Sequence, residues 1–558
     1  MKKAFGFICI IVVSFFAIKP LLSDGYFPMH DDTQVARVVV MGRALRDGQF
    51  PVRMVSDLGY GLGYPIFNFY GPLPYYIGGS LYAVGMDSVV ATKVMFGIGA
   101  VLAPITLFLL LSPVFGAAAA VAGATLFLFA PYHAVQIYIR GSVGEYWAIA
   151  FVPLILSGLL RALKEKRFHS QIAIAGLALA GVITSHTILG FLTCAMLLLG
   201  ICIFWVMKLI KQKLTRQDVV VPVVVMALGL SLSAFFWLPA FVEMSATSVA
   251  AMVSSASTTF FDHFVCASQL WNAPWGFAGS APGCVDGMSF KFGKLHILLF
   301  GIAVGMWAYM RNSKKVHEKN AYMKATIGSV LLCILLMLSI SASFWRMIPY
   351  TSFIQYPWRL LTFGMMGIAI GGAYSISVFR IPGIRIMLSV GIIAATMLVN
   401  AKIFVPQYQY VRESSAFESF EELRFIKSKI SDEYLPLAIL RPKTASEVTK
   451  VTVSGESAFS VMRLTEASAS FVVEIMSETE QKITIHKAWF PGWKMTVNGR
   501  EIDPSIEQGL PSVTIQSGIS IIELRFRDTP VRVLGNWMSI LGVFVIGAIY
   551  IYGKKTKA

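Results

Sequence analysis

Three consecutive polar residues, His30, Asp31 and Asp32, follow the first apolar segment by about nine residues. A carboxylate at a membrane boundary can take a proton from an acceptor hydroxyl. It could equally hold a divalent cation such as magnesium or manganese against a phosphate. Asp32 has a rival role, because it precedes TQVARVVVMGRAL, whose Val35, Val38, Val39 and Leu45 have near-helical spacing. A carboxylate there can simply cap the helix, which favours Asp31 as the reactive group. His30, and Arg53 further along the same polar stretch, are candidate substrate ligands.

A second set lies downstream. Arg140 and Glu145 sit in YIRGSVGEYW at the ends of two apolar segments. The arginine can grip a phosphate in fork geometry, and Glu145 can serve as a second catalytic carboxylate; a local ion pair explains them as well. Arg359, in IQYPWRLL, is either a lipid-phosphate ligand or an interfacial anchor beside Tyr356 and Trp358. His263, upstream of Trp271 and Trp275, suits sugar binding or a packed lid. His186 is a candidate substrate ligand at a helix tip, where a satisfied structural histidine is the plainer reading. No His-x-His, His-x3-His or Cys-x2-Cys spacing occurs among the eight histidines and six cysteines, so no zinc motif is present. The glycines of GYGLGYP end in aromatics rather than Gly-Lys-Ser/Thr, which argues against a nucleotide.

These residues must be positioned by a membrane scaffold. The chain of 558 residues is 56% hydrophobic and 14% charged, with mean hydropathy +0.68. A soluble chain carries about a quarter charged residues. The formal charge of +17 is not gathered on one folded region. Much of it falls in short loops between apolar segments: Lys164, Lys166 and Arg167; Lys208, Lys211, Lys213 and Arg216; Arg311, Lys314 and Lys315; Arg380 and Arg385; Lys554, Lys555 and Lys557. That bias marks cytoplasmic loops rather than a nucleic-acid partner.

The expected fold is a polytopic α-helical membrane protein with about 12 transmembrane helices and a C-terminal extracytoplasmic β-sandwich. Residues 1–404 form the membrane domain, with external loops 23–88, 133–146, 240–294 and 343–358. Within the first loop, 73–85 is too short to cross and reads as re-entrant or interfacial. Residues 405–533 carry strand periodicity and Asn-Gly and Pro-Gly turns after a helical lead-in at about 414–430. Residues 534–558 are an anchor and basic tail. Both termini are expected in the cytoplasm. Cys266 and Cys284 share an external loop, where an oxidising compartment permits a disulfide.

Several stretches together resemble a known family: HDDTQVARVVVMGRALRDGQFPVR, GYGLGYPIFNFYGPLPYY, YIRGSVGEYWA, FFWLPAFVE, HFVCASQLWNAPWGF, DGMSFKFGKLH, IQYPWRLL, AWFPGWKMTVNG and DTPVRVLGN. They resemble the 6-pyruvoyl-tetrahydropterin synthase-related bacterial membrane family, which is similar to the C-type (GT-C) polyprenyl-phosphate-dependent glycosyltransferases. The pterin chemistry is not implied, because that enzyme's histidine zinc site is missing. The resemblance implies a polyprenyl-phosphate lipid donor, an acidic residue in the first external loop (Asp31 or Asp32) and a further carboxylate at Glu145. Many relatives carry Asp-Glu or Glu-x-Asp where this chain has His-Asp-Asp, which leaves the choice of aspartate open. The expected activity is inverting sugar transfer to an extracytoplasmic glycan, lipid or protein at a bacterial inner membrane, with Arg140 or Arg359 on the phosphate. The alternatives are a lipid or glycolipid transporter and a non-enzymatic envelope-assembly protein. A transporter should carry ionisable residues within its spans, and several spans here hold almost none.

Overall fold

Each of the twelve apolar segments forms helix in the computed structural model, which describes residues 3–164, 169–249, 260–313, 316–349, 351–448 and 451–555. Lys166, Arg167, Lys314, Lys315 and Lys557 lie outside the described residues. Eight helices are long and apolar enough to cross a membrane: Lys3–Leu22, Ser88–Phe115, Val143–Lys164, Thr187–Ile210, His317–Met337, Pro357–Ser377, Pro382–Ile403 and Pro530–Ile551. Two further segments are bent pairs, Ala117–Leu128 with Pro131–Arg140 (50°) and Arg216–Leu232 with Ala234–Ala246 (72°). The last two, His169–Ser185 and Lys294–Met310, have 17 residues each, or ~26 Å of helix. Among the described residues the crossings therefore number eight to ten by length and composition, where twelve were expected. The chain is a polytopic α-helical membrane protein.

The expected external loop 133–146 is corrected most sharply. Pro131–Ala134 is helical, Val135–Arg140 continues as a buried π-helical turn, and Val143 already starts the next helix. Only Gly141 and Ser142 interrupt. Gly141 has φ +64°, and a Cβ there would lie 2.1 Å from the Met29 sulfur, so glycine is required. This break sets Arg140 and Glu145 on facing helix ends.

The first loop is itself structured, with helices Gln34–Arg46, Ile66–Phe69 and Leu73–Ala83. Its outer face locks onto the segment after the membrane helices. Arg43 reaches Asp57 at 2.7 Å and Glu418 at 3.3 Å, and Tyr60 donates to Asp432 at 2.9 Å. The expected lead-in helix at 414–430 is broken into Ser414–Phe417, a π-helical turn Glu422–Lys427, and Ser428–Ile430.

Nine strands follow among the described residues. Strands β1 (Val453–Gly455), β4 (Gln481–Ile485), β8 (Leu510–Ile515) and β7 (Ser505–Glu507) form one antiparallel sheet in that order. The other runs β2 (Phe459–Ala467), β3 (Ser470–Ser477), β9 (Gly518–Phe526), β5 (Trp493–Val497) and β6 (Arg500–Ile502). Alternate residues turn inward, so Phe471, Val473, Ile483, Ile485, Met495, Ile522 and Leu524 from both sheets share one apolar core. Met54 and Phe69 of the first loop enter the same core.

A buried ionic knot closes the base of this region. Glu243 accepts from Arg532 at 3.0 and 2.9 Å, from Asn68 at 2.7 Å and from Thr529 at 2.6 Å. Glu243→Ala would leave Arg532 buried without its counter-charge, at a cost of about 3–5 kcal/mol. Denaturant unfolding of the purified protein should show that loss.

Candidate functional site

Five chain segments converge on one cavity of about 300 Å³. The first loop supplies Asp31, Thr33 and Arg37, then Phe69–Gly71. The helix break supplies Arg140, Ser142 and Glu145, and His186 and Thr187 come from a helical hairpin tip. Gln355, Tyr356 and Arg359 precede the helix Leu361–Ser377, and Ile430–Tyr434 arrive from beyond the membrane helices. Close backbone approach shapes the wall. A Cβ on Gly71 would lie 2.1 Å from the Ser185 carbonyl oxygen.

At the cavity's base Glu145 is fully buried and shared by two arginines. Arg140 Nη1 donates to Oε2 at 2.7 Å and Nη2 to Oε1 at 2.9 Å, a fork-on-fork pair. Arg359 Nε donates to Oε1 at 2.9 Å, across 214 residues of chain. Its Nη2 donates to the Gln355 side chain at 2.9 Å, and its Nη1 to the Ile354 carbonyl. Gln355 holds φ +66°, a strained conformation for a side-chain-bearing residue, where its amide buttresses Arg359. Arg140 also lies 4.7 Å over the Trp358 ring. Arg140 and Glu145 form the local ion pair, and that pair lines the cavity. Arg359 is buried rather than an exposed interfacial anchor.

His186 Nδ1 accepts from the Leu189 N–H at 3.2 Å, capping a helix. Burial, opposed by Glu145 and reinforced by Arg359 and Arg140, pushes its pKa down to about 3. The neutral ring's proton is then on Nε2, which lies 3.9 Å from Glu145 Oε1.

Asp31 is half-buried, and its carboxylate makes no hydrogen bond or ion pair among the described residues. Its backbone is fixed instead, donating to the Arg140 carbonyl at 2.9 Å and accepting from Thr33 at 2.7 Å. Asp32 points elsewhere. It does not cap the helix, since Thr33 holds that position without a side-chain bond, and its carboxylate takes Lys427 at 2.8 Å. Burial pushes the Asp32 carboxyl up even against that lysine.

Three other expected ligands are not brought into the cavity. Exposed His30 bonds the Phe277 carbonyl at 2.9 Å. Buried Arg53 braces the anchor helix, donating to Asn68 at 3.1 Å, the Phe235 carbonyl at 3.0 Å and Asn536 at 3.0 Å. His263 meets Ser280 at 2.8 Å and packs edge-on behind Tyr356, so it supports the wall without lining it. Cys266 and Cys284 are joined in a disulfide with Cα atoms 5.7 Å apart.

The cavity also holds residues the sequence did not single out, chiefly Arg37, Tyr70, Glu433 and Tyr434. Arg37 is buried, stacks on Tyr70 at 4.0 Å and makes no ion pair among the described residues. Three guanidiniums, Arg37, Arg140 and Arg359, line the cavity together with three carboxyl groups, Asp31, Glu145 and Glu433. Glu145 is committed to arginines, and among the described residues no group of three or more His, Cys, Asp or Glu could hold a metal.

A family model described as a 6-pyruvoyl-tetrahydropterin synthase related domain, a membrane protein, matches residues 67–404. No curated protein matches the chain. Among solved structures, the arabinofuranosyltransferase AftD from Mycobacteria is similar at 14% identity and a TM-score of 0.49, over 74% of this chain and 28% of that one. The Archaeoglobus fulgidus oligosaccharyltransferase in the apo form is similar at 13% identity and a TM-score of 0.46, over 72% of this chain and 56% of that one. ArnT from Cupriavidus metallidurans, bound to undecaprenyl phosphate, gives 11% identity and a TM-score of 0.30, over 72% and 89%. The chain thus spans about a quarter and about half of the first two proteins.

The geometry separates a structural carboxylate from an uncommitted one. Glu145→Ala should cost about 3–5 kcal/mol of unfolding free energy, because two buried guanidiniums lose their counter-charge. Asp31→Asn should stay within about 0.5 kcal/mol of the parent. Side-by-side denaturant melts in detergent check both.

Proposed function

We propose that this chain, which belongs to the 6-pyruvoyl-tetrahydropterin synthase-related family of membrane proteins, transfers a sugar from a polyprenyl-phosphate donor to an acceptor hydroxyl outside the cytoplasm. The observation that carries this reading is one uncommitted carboxylate, Asp31, in a cavity rich in buried guanidinium groups. Asp31 removes the acceptor hydroxyl's proton as that oxygen bonds the anomeric carbon. The carbon–oxygen bond to the lipid phosphate breaks, and the phosphate leaves with the electron pair, which inverts the anomeric centre. Arg140 and Arg359, fixed by Glu145, are placed to steady that leaving charge, and Arg37 adds a third cation. The resemblance of the motifs around Asp31 and Glu145 to polyprenyl-phosphate-dependent glycosyltransferases supports the same chemistry. In this reading Glu145, clamped between two arginines, positions them rather than acting as the second base.

Two features support an extracytoplasmic cavity. The loop with the Cys266–Cys284 disulfide lies on the cavity side, where Ser280 bonds Trp358 behind Tyr356. The helix Thr187–Ile210 starts at the cavity, so its far end carries Lys208, Lys211, Lys213 and Arg216 to the opposite face. That face is the cytoplasmic side of a bacterial inner membrane in this reading.

Purified protein in nanodiscs, given a panel of polyprenyl-phosphoryl hexoses and pentoses with cell-envelope acceptors, should release polyprenyl phosphate. Asp31→Asn should lower that rate by a factor on the order of 10²–10⁴ while Asp32→Asn retains most of it. Full activity in the Asp31 variant would remove the assignment.

A further inference from the structure

The transfer proposed above uses one of the two carboxyls that line the cavity without an arginine partner; the other is Glu433, on the wall contributed by the chain beyond the membrane helices. Its surroundings are specific. The Ser431 hydroxyl donates to Glu433 Oε1 at 3.2 Å and accepts from Arg37 Nη2 at 3.2 Å, so it stands between the two charged side chains. The direct guanidinium–carboxylate pair that would fix Glu433 as an anion is absent among the described residues. Arg37 instead reaches Tyr75 at 3.4 Å, and its Nε has no hydrogen-bond partner.

The other groups facing Glu433 are Asp432 on its own turn, Tyr64 from the first loop and Tyr434. Asp432 is already held by Arg441 at 2.9 Å and Tyr60 at 2.9 Å. Tyr434 stacks on Phe69 with centroids 5.2 Å apart, which fixes the turn against the first loop. Burial pushes the Glu433 carboxyl up, outweighing its own backbone N–H, Arg37 and Ser431, which all pull it down. A carboxyl group with lone pairs left over accepts hydrogen bonds from sugar hydroxyls.

We propose that Glu433 is the hydroxyl-recognising group of this cavity, binding the sugar acceptor while Asp31 takes the proton. The two carboxyls then divide the work by surroundings, one as base and one as ligand, with Ser431 and Arg37 orienting the second. This rests on the transferase reading. It makes the turn 431–434 a determinant of which acceptor is used.

Transfer measurements on the full chain in nanodiscs test it. In steady-state transfer from a polyprenyl-phosphoryl hexose, Glu433→Gln keeps a donor and an acceptor, so its acceptor KM should stay within a few-fold. Glu433→Ala should raise acceptor KM about tenfold with a smaller change in kcat, as expected for one lost hydrogen bond. An unchanged acceptor KM in Glu433→Ala would overturn the assignment. A parent that transfers nothing from any donor overturns the transferase reading instead, and the acceptor role falls with it.

Discussion

One carboxylate organises the membrane half of the cavity. Glu145 is out of water, and burying an ion costs several kcal/mol unless partners replace its hydration. Arg140 and Arg359 supply those partners from two sides. Because Arg140 ends one bent helix, Glu145 begins the next and Arg359 precedes a third, satisfying one charge fixes three helix ends at once. The aromatic rings of Trp358 and Tyr356, and the strained Gln355, complete the support. The cluster keeps a net positive charge and holds it rigidly beside an open space. A site built to meet an anion needs that preorganisation.

The second half of the cavity comes from the first loop and the chain after the membrane helices. The first loop and residues 405–448 interlock through Arg43, Asp57, Arg424, Lys427 and Asp32, and the β region shares its core with Met54 and Phe69. The pieces of the cavity that lie far apart in sequence are therefore held by two devices. Ion pairs join the loop to the lead-in segment, and apolar burial joins the loop to the sheets. Asp31 sits at the seam, its backbone tied to Arg140 and its side chain uncommitted.

How much of this could be read beforehand follows from what is local. Apolar segments announce themselves by length, so all twelve apolar segments and the strand-rich region were legible, whereas sharing one loop only permitted the Cys266–Cys284 bridge. Arg140, Glu145 and Arg359 each stood out as ions beside spans. Their convergence did not, since Arg359 meets Glu145 across 214 residues. The bent helix at Pro131–Arg140 was hidden because a break that needs only Gly141 looks like a polar loop. Arg37 and Glu433 carried no signal: one lies inside an amphipathic helical pattern, the other in an acidic, loop-like run. Asp31 and Asp32 differ by one position, and a lysine nearly four hundred residues away decides between them.

The central claim is that the cavity beside Asp31 receives the head group of an isoprenoid phosphate. Cryo-electron microscopy of the protein in nanodiscs loaded with undecaprenyl phosphate tests it most directly. The account predicts phosphate density in contact with Arg140, Arg359 or Arg37 and within reach of the Asp31 carboxylate. A lipid phosphate seated on another face, with this cavity holding only water, would contradict it.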